Sequence, residues 1–305
     1  MSRPRERGVV LLAAVTALAV MTVLALGLAR SAVLDQRTTG DALATLQADA
    51  LLRSGVAAAA VVLGEAGAAD APDTLRAPWL QPTGHHALGA GWVDVELEDE
   101  ARRLDLNEPA LAPALPRLLA VLGLDPAIAD AIADWKDADD LVRPHGAERG
   151  FYLTGTPPTM PANGPFLTLG ELTLVRGVGA AGLERLRQHV TVAGEHAINP
   201  NTASRAVLLA VLDDTAAVER VLAARERAPL DTDALAALLP DMSAEQRTLL
   251  VPRGQRYTAR VVATVGTVRR VVEATLWSPA GAQVEVVAWR PLSGSPIADE
   301  PERDR

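Results

Sequence analysis

Apolar residues recur along this chain with different periods in successive stretches. An uncharged run fills residues 9–29, directly behind a leader that carries Arg3, Arg5 and Arg7. At about 1.5 Å per residue a helix of that length covers roughly 30 Å, the thickness of a bilayer's hydrocarbon core. Residues 41–65 contain no proline, and Leu43, Leu46, Ala50, Ala57 and Val61 recur at helical spacing. This predicts an amphipathic helix whose stripe faces a sheet, with Asp49 and Arg53 in water. Residues 64–82, rich in Gly, Ala, Asp and Pro, read as a loop. Residues 92–98 alternate as Trp-Val-Asp-Val-Glu-Leu-Glu, predicting a half-buried strand with Val93, Val95 and Leu97 on one face. Residues 102–107 are its expected hairpin partner.

From residue 108 to about residue 253 the period is helical. Leu115, Leu118, Leu119 and Leu122 share a face. Asp125-Pro126 opens a helix that turns Ile128, Ile132 and Trp135 inward. Thr168 with Glu171, and Ser243 with Gln246, have capping-box spacing. Further helices are predicted over residues 180–190, 204–212, 216–227 and 233–239. The period returns to two in residues 257–265, 269–277 and 283–290, which predicts three strands. Two strands before the helical stretch are too few for an independent sheet, and the three after it need an edge and a cover. One sheet assembled from both sides and packed on the helix of residues 41–65 satisfies both groups.

Composition narrows the function. The formal charge is −9, which disfavours a nucleic-acid role. Cysteine is absent, so no disulfide framework supports the fold. His85, His86, His145, His189 and His196 show no metal-ligand spacing, and no nucleophile motif is recognisable, so the expectation is that the protein is not an enzyme. The arginines of the leader hold it in the cytoplasm and send the rest of the chain across the membrane.

The leader ends as Arg-Gly-Val-Val-Leu-Leu. This resembles the class III leader of type IV pilins and type II secretion pseudopilins, which is cut after the glycine, here Gly8, leaving Val9 first and the apolar helix on the mature chain. A conventional signal peptide or an uncleaved anchor are the alternatives. The fifth mature position is Ala13, where most pilin-like subunits carry glutamate. A carboxylate in lipid is costly without a partner charge, and the absence of this one resembles the large minor pseudopilin, general secretion pathway protein K. Two further segments are similar to that family at close range. One is Ile132-Ala-Asp-Trp135-Lys-Asp-Ala-Asp-Asp140 with Pro144-His-Gly-Ala-Glu148-Arg-Gly-Phe151-Tyr152-Leu153; the other is Leu174-Val-Arg-Gly177-Val-Gly179 with Ile198-Asn-Pro-Asn-Thr-Ala-Ser204.

The resemblance implies an α+β, pilin-like fold: a long N-terminal transmembrane helix packed on an antiparallel sheet, with a large inserted all-α domain. The boundaries are a prepilin-type leader at 1–8, a transmembrane and periplasmic helix at 9–66, and the first part of the sheet domain at 67–107. An inserted helical domain follows at 108–255, then C-terminal strands at 256–292 and a disordered tail at 293–305. The implied function is that of a minor pseudopilin that caps the pseudopilus tip and helps initiate its assembly for protein export. Minor pseudopilins I and J, other pseudopilus and inner-membrane secretion components, and a prepilin peptidase are the implied partners. The implied location is the bacterial inner membrane, single-pass, with the folded part in the periplasm, and Ala13 marks a tip position.

Asp137, Asp139 and Asp140 repel one another unless a cation or basic partner is present, and such oxygen density suits Ca²⁺. An EF-hand frame starting at Asp137 puts Glu148 twelfth, but Val142 stands where glycine is needed and Leu141 where a ligand belongs. The residues alone leave two readings open: a cation loop, or a solvated acidic helix end with Lys136 and Arg143 as counter-charges. The resemblance implies structural Ca²⁺ on Asp137, Asp139, Asp140 and Glu148. The words around Gly177, Gly179 and residues 199–204 also resemble helix-hairpin-helix motifs, whose amides hold DNA phosphates. The alternative function is therefore a membrane-anchored DNA-uptake or DNA-binding protein. It needs a basic surface, and Glu171, Glu184, Glu195 and Asp213 offset Arg176, Arg185, Arg187 and Arg205. A tight helix–helix turn is the preferred reading of those glycines.

Mass spectrometry of the mature protein is expected to find Val9, N-methylated, as its first residue. A terminus near Ser31 would establish a conventional signal peptide instead.

Overall fold

A computed structural model of the chain describes residues 4–68, 71–81 and 84–292. Helix α1 runs unbroken over Pro4–Ala68. Gly8, Val9 and Ala13 have helical backbone within it, and their side chains lie outside the described ones; the tail at 293–305 lies outside the described residues altogether. The segment Ala14–Ser31 is long and apolar enough to cross a membrane and is wholly exposed, with Leu18, Met21, Leu24 and Leu28 pointing away from the protein. An apolar helix with no protein around it has lipid as its matching solvent.

The lower half of α1 lies on a five-stranded antiparallel sheet of order β1-β2-β5-β6-β7. These strands are β1 (His86–Leu88), β2 (Gly91–Asp99), β5 (Arg256–Val265), β6 (Val268–Trp277) and β7 (Glu285–Leu292). Strand β2 pairs with β5 along its length, from Trp92 opposite Thr264 to Asp99 opposite Tyr257. One sheet is thus built from both sides of the intervening segment, as the strand count requires. Strands β5, β6 and β7 fall where the period of two places them, within one or two residues.

The helix face toward the sheet differs from the expected one. Leu43, Leu46 and Val61 are 56%, 66% and 60% exposed, and Ala50 and Ala57 are exposed too. The buried face is the opposite one: Ala48, Leu51, Leu52, Gly55, Val56, Ala59 and Leu63, against Val93, Leu97, Val261, Ala263, Val272 and Ala274. The reason is size. Ala48, Gly55 and Ala59 let the helix axis come close, and a Cβ on Gly55 would fall 2.5 Å from Val261 Cγ1. Residues 57–63, Ala-Ala-Ala-Ala-Val-Val-Leu, are apolar all round, so the pattern there does not single out a face. Arg53 is exposed as expected, while Asp49 is half-buried and pairs with Arg270 at 3.3 Å.

Other expectations are corrected as well. Residues 102–107 do not pair back on β2. The Asp99 carboxylate accepts from Ala101 N at 2.9 Å, a 3₁₀ turn over Glu100–Arg102 carries the chain off the sheet, and β3 (Leu104–Asp105) pairs in parallel with β4 (Val190–Thr191). The segment between β2 and β5 is therefore mainly helical and not purely so. Its α-helices are α2 (Leu115–Val121), α3 (Ile128–Lys136), α4 (Arg149–Tyr152), α5 (Gly179–Leu186), α6 (Arg205–Leu212), α7 (Thr215–Arg225), α8 (Thr232–Leu238) and α9 (Ala244–Thr248). The loop expected from residue 64 begins later, since α1 persists to Ala68. Both capping boxes form, that of Thr168 opening a 3₁₀ rather than an α-helix. The segment has its own core, in which Leu118, Leu119, Ile132, Trp135, Leu172, Leu186, Ile198, Leu208 and Val218 are almost fully buried. Each such side chain contributes about 1.5–3 kcal/mol relative to exposure.

The close approach of α1 is testable. Gly55→Leu is expected to destabilise the fold by about 1–3 kcal/mol through overpacking against the stiff Val261 side chain. Gly40→Ala, on the same helix with open space around it, is expected to gain about 1 kcal/mol from helix propensity. Denaturant unfolding of both variants measures the contrast.

Candidate functional site

The acidic cluster forms where α3 ends. Asp134 shares the inward face with Ile128, Ala131 and Trp135 and is completely buried. Asp137 caps the helix in extended backbone, and the loop then folds back over both carboxylates. Arg143 N donates to Asp134 Oδ2 at 3.1 Å, and its guanidinium donates to Asp134 Oδ1 at 2.5 Å and to Asp137 Oδ2. The return passes so close that a Cβ on Gly146 would sit 1.8 Å from Asp134 Oδ2, so only glycine serves there. Glu148 closes the loop at the head of α4 without capping it.

One carboxylate oxygen each from Asp134, Asp137 and Glu148 lie within 4.8 Å of one another. Of the expected ligands, the structure therefore brings Asp137 and Glu148 together and adds Asp134. Asp139 is exposed and uses Oδ1 to accept from Leu141 N at 2.8 Å, and Asp140 is exposed. Asp134 was missed because it lies one helical step inside the acidic run. Its signal was an acid on an apolar helix face.

Arg143 neutralises two of the three carboxylates. Glu148 is 4% exposed, and neither of its oxygens has a hydrogen-bond partner; Asp137 Oδ1 is likewise buried and alone. Desolvation, and then the charges of Asp134, Asp137, Asp140 and Asp139, push the Glu148 carboxyl above its ordinary range. Unsatisfied buried carboxylate oxygens cost free energy unless something supplies positive charge. A hard divalent cation with oxygen ligands fits that deficit.

The residue 198–204 word faces inward. Asn199 Nδ2 and Thr202 Oγ1 donate to Asp99 Oδ2 at 2.9 and 2.7 Å, and Asn199 N donates to Ala101 O at 2.8 Å. Asn201 exchanges two hydrogen bonds with the Leu230 backbone, at 2.9 and 2.8 Å. Ser204 caps α6 by accepting from Val207 N, so its 3.0 Å contact with His189 Nδ1 belongs to a helix cap. These side chains are struts between segments. The nearby arginines are also committed. Arg176 donates to Gly146 O at 2.8 Å and stacks over Phe151, Arg185 donates to Gly123 O, Arg187 pairs with Glu184, and Arg205 pairs with Glu219 at 2.7 Å. Gly177 and Gly179 have φ of +83° and +59°, the left-handed backbone of a tight turn, and a Cβ on Gly177 would crowd Ile128 at 3.1 Å.

Comparison with known proteins gives one consistent answer. Residues 96–195 match the family described as type II secretion system (T2SS), protein K. The chain is 29% identical to the type II secretion system protein K of Pseudomonas aeruginosa over 311 residues, covering 94% of this chain and 93% of that protein. It is 27% identical to the Klebsiella pneumoniae protein K, with 87% and 90% covered, and 31% identical to that of Aeromonas hydrophila, with 66% of each covered. The fold matches a chain in the crystal structure of the GspK-GspI-GspJ complex from the enterotoxigenic Escherichia coli type 2 secretion system. That match has a TM-score of 0.71 at 21% identity and covers 84% of this chain and 99% of that one.

Proposed function

The chain belongs to the type II secretion system protein K family of minor pseudopilins, and from that premise we propose that it caps the tip of a pseudopilus and helps to start its assembly. The observation that carries this reading is α1 itself. Its exposed apolar segment Ala14–Ser31 continues without a break into a half that is fixed on the sheet. An anchor joined rigidly to a folded head transmits position from the membrane to the head. The leader's charge supports a cytoplasmic N-terminus and a periplasmic head. The helical segment adds a second body with its own core to the head, which suits a terminal subunit better than one stacked between neighbours. With Ala13 in place of glutamate the subunit needs no neighbour above it to neutralise a buried acid. The role is mechanical, and the partners are the I and J minor pseudopilins, as in the complex whose K chain shares this fold.

Calcium belongs to the same proposal. Asp134, Asp137 and Glu148 hold it, and bound there it supplies the positive charge that the orphaned oxygens of Glu148 and Asp137 lack. Without the ion, Arg143 is the internal counter-charge for Asp134 and Asp137.

Co-expressed with the I and J subunits of its own system and extracted in detergent, the full-length chain is expected to elute in a small complex and to form no filaments alone. Ala13→Glu is expected to bring no gain in secretion. Long filaments of this chain by itself, or improved secretion by Ala13→Glu, would show that it is not a tip subunit.

For calcium, the full-length chain is expected to melt higher in Ca²⁺ than in chelator. A concentration about 100 times the dissociation constant corresponds to about 2.7 kcal/mol. Glu148→Gln and Asp134→Asn are expected to abolish the shift, Asp139→Asn and Asp140→Asn to keep it, and Arg143→Gln to lower the melting point in chelator. A shift that survives Glu148→Gln would move the ion elsewhere.

A further inference from the structure

The loop after α1, the sheet and the helical segment meet at a seam of buried polar groups. Asp73, 2% exposed, enters it from the loop; its N–H donates to Pro252 O at 3.1 Å, and its carbonyl accepts from Asn199 Nδ2 at 3.2 Å. Asp99 enters from the end of β2 and is fully buried, with three donors on its carboxylate: Ala101 N, Asn199 Nδ2 and Thr202 Oγ1. Tyr257 enters from β5, fully buried, with its ring edge-to-face with that of Trp79, the centroids 5.3 Å apart. The other ionisable groups facing the seam are Arg253, whose Nη1 donates to Ala66 O, and Glu100 and Glu195 around Asp99, with His196 beside Glu195.

Counting protons at Tyr257 exposes a deficit. Its hydroxyl oxygen lies 2.5 Å from Asp73 Oδ2 and 2.6 Å from the Gly254 carbonyl oxygen. Both distances are those of hydrogen bonds, and an O···O contact this short with no proton between is repulsive. The phenol has one proton, and the carbonyl has none. If Tyr257 donates to Gly254, the second proton must come from Asp73. Asp99 needs no such proton, since three donors already converge on it.

We propose that Asp73 is a neutral carboxylic acid in the folded protein, donating its proton to Tyr257, and that its ionisation as the medium turns alkaline is a switch that loosens this seam. Burial points the same way. Desolvation is the largest influence on Asp73, opposed by the Tyr257 hydrogen bond, reinforced by the charge of Asp99 and opposed by Arg253, and it raises the carboxyl to about 7. An acid whose folded pKa is raised stabilises the fold fully below its ordinary value. That contribution is lost as pH rises from about 4 to about 7, because the folded state holds a proton that the unfolded chain releases. Above neutrality the carboxylate faces Asp99 across a buried seam, and the contact tying the loop to β5 becomes one of acceptor against acceptor unless Tyr257 leaves Gly254.

Asp73→Asn tests this, because an amide at this position donates to Tyr257 as a neutral acid does and cannot ionise. In detergent and chelator, the full-length protein and the variant are expected to melt together at about pH 4, the ordinary aspartate value, and to separate progressively up to about pH 7. The variant should melt several degrees higher at about pH 8.5. Glu195 and Glu148 titrate in both proteins and cancel in the comparison; Asp99, whose charge acts on Asp73, changes the size of the difference and not its sign. Wild-type protection of the Asp73 and Asn199 amides from hydrogen exchange should fall over the same range, relative to the variant. A melting difference that is the same at both pH values, or unchanged protection, overturns the proposal. Infrared difference spectra of wild type against the variant give a second reading, which isolates the Asp73 band from those of the other raised carboxyls. A protonated-carboxyl band should persist above the ordinary aspartate range and vanish near neutrality, and its absence at about pH 5.5 overturns the proposal.

Discussion

The close contact between α1 and the sheet is the constraint from which the rest of the structure follows. One helix must be apolar enough for lipid over residues 14–31 and must then pack on protein without changing its continuous α-helical backbone. Small residues resolve this: Ala48, Gly55 and Ala59 bring the axis near the strands, while Leu52, Val56 and Leu63 fill the space on either side. The sheet must then offer β-branched side chains at the contact, and Val93, Val261 and Val272 do so. With the helix so close, the sheet needs strands from distant parts of the chain to be wide enough. That is why β2 comes from before the helical segment and β5 to β7 come from after it.

Interrupting a sheet with so long a segment creates a joint, and the joint is polar. Asp99 is the last residue of β2, where the chain leaves the sheet, and Tyr257 stands opposite it on β5, where the chain returns. Between the two, Asn199 and Thr202 bring the helical segment to the same point. Hydrogen bonds have directions that apolar contacts lack, so this joint fixes how the helical body sits on the sheet. The inward-facing residues of the 198–204 word explain why it resembles a ligand-binding motif yet presents no free donor at Asn199, Asn201 or Thr202.

Much of this was legible in the sequence. Strands β2, β5, β6 and β7 follow from alternation, and the inward side of α3 follows from Ile128, Ile132 and Trp135. The face of α1 was not, because an alanine-rich stretch is apolar on every side and only the partner decides. The pairing of β3 with β4 was not legible either, since two residues per strand carry no period. Asp134 and Asp99 left a fainter trace. Each continues an apolar face, Asp134 on that of Ile128 and Ala131, and Asp99 on that of Val93, Val95 and Leu97. An acid in such a position is a buried carboxylate in need of a partner.

Buried carboxylates are expensive, and this chain deals with them in contrasting ways. Asp99 gathers three donors drawn from two segments, so the cost of burying it is offset by the connection it makes. Asp134 and Asp137 share Arg143, a counter-charge held within their own loop. Asp73 and Glu148 are left with too little. For Asp73 the shortfall is one proton, and a neutral acid supplies it at no cost in charge. For Glu148 both oxygens are bare and the neighbouring groups are acids, so a single proton would satisfy one oxygen and leave the other exposed to the same field. A divalent cation answers both oxygens at once. The number of unsatisfied atoms, more than the acidity of the sequence, is therefore what supports the proposed proton at the seam and the proposed cation in the loop.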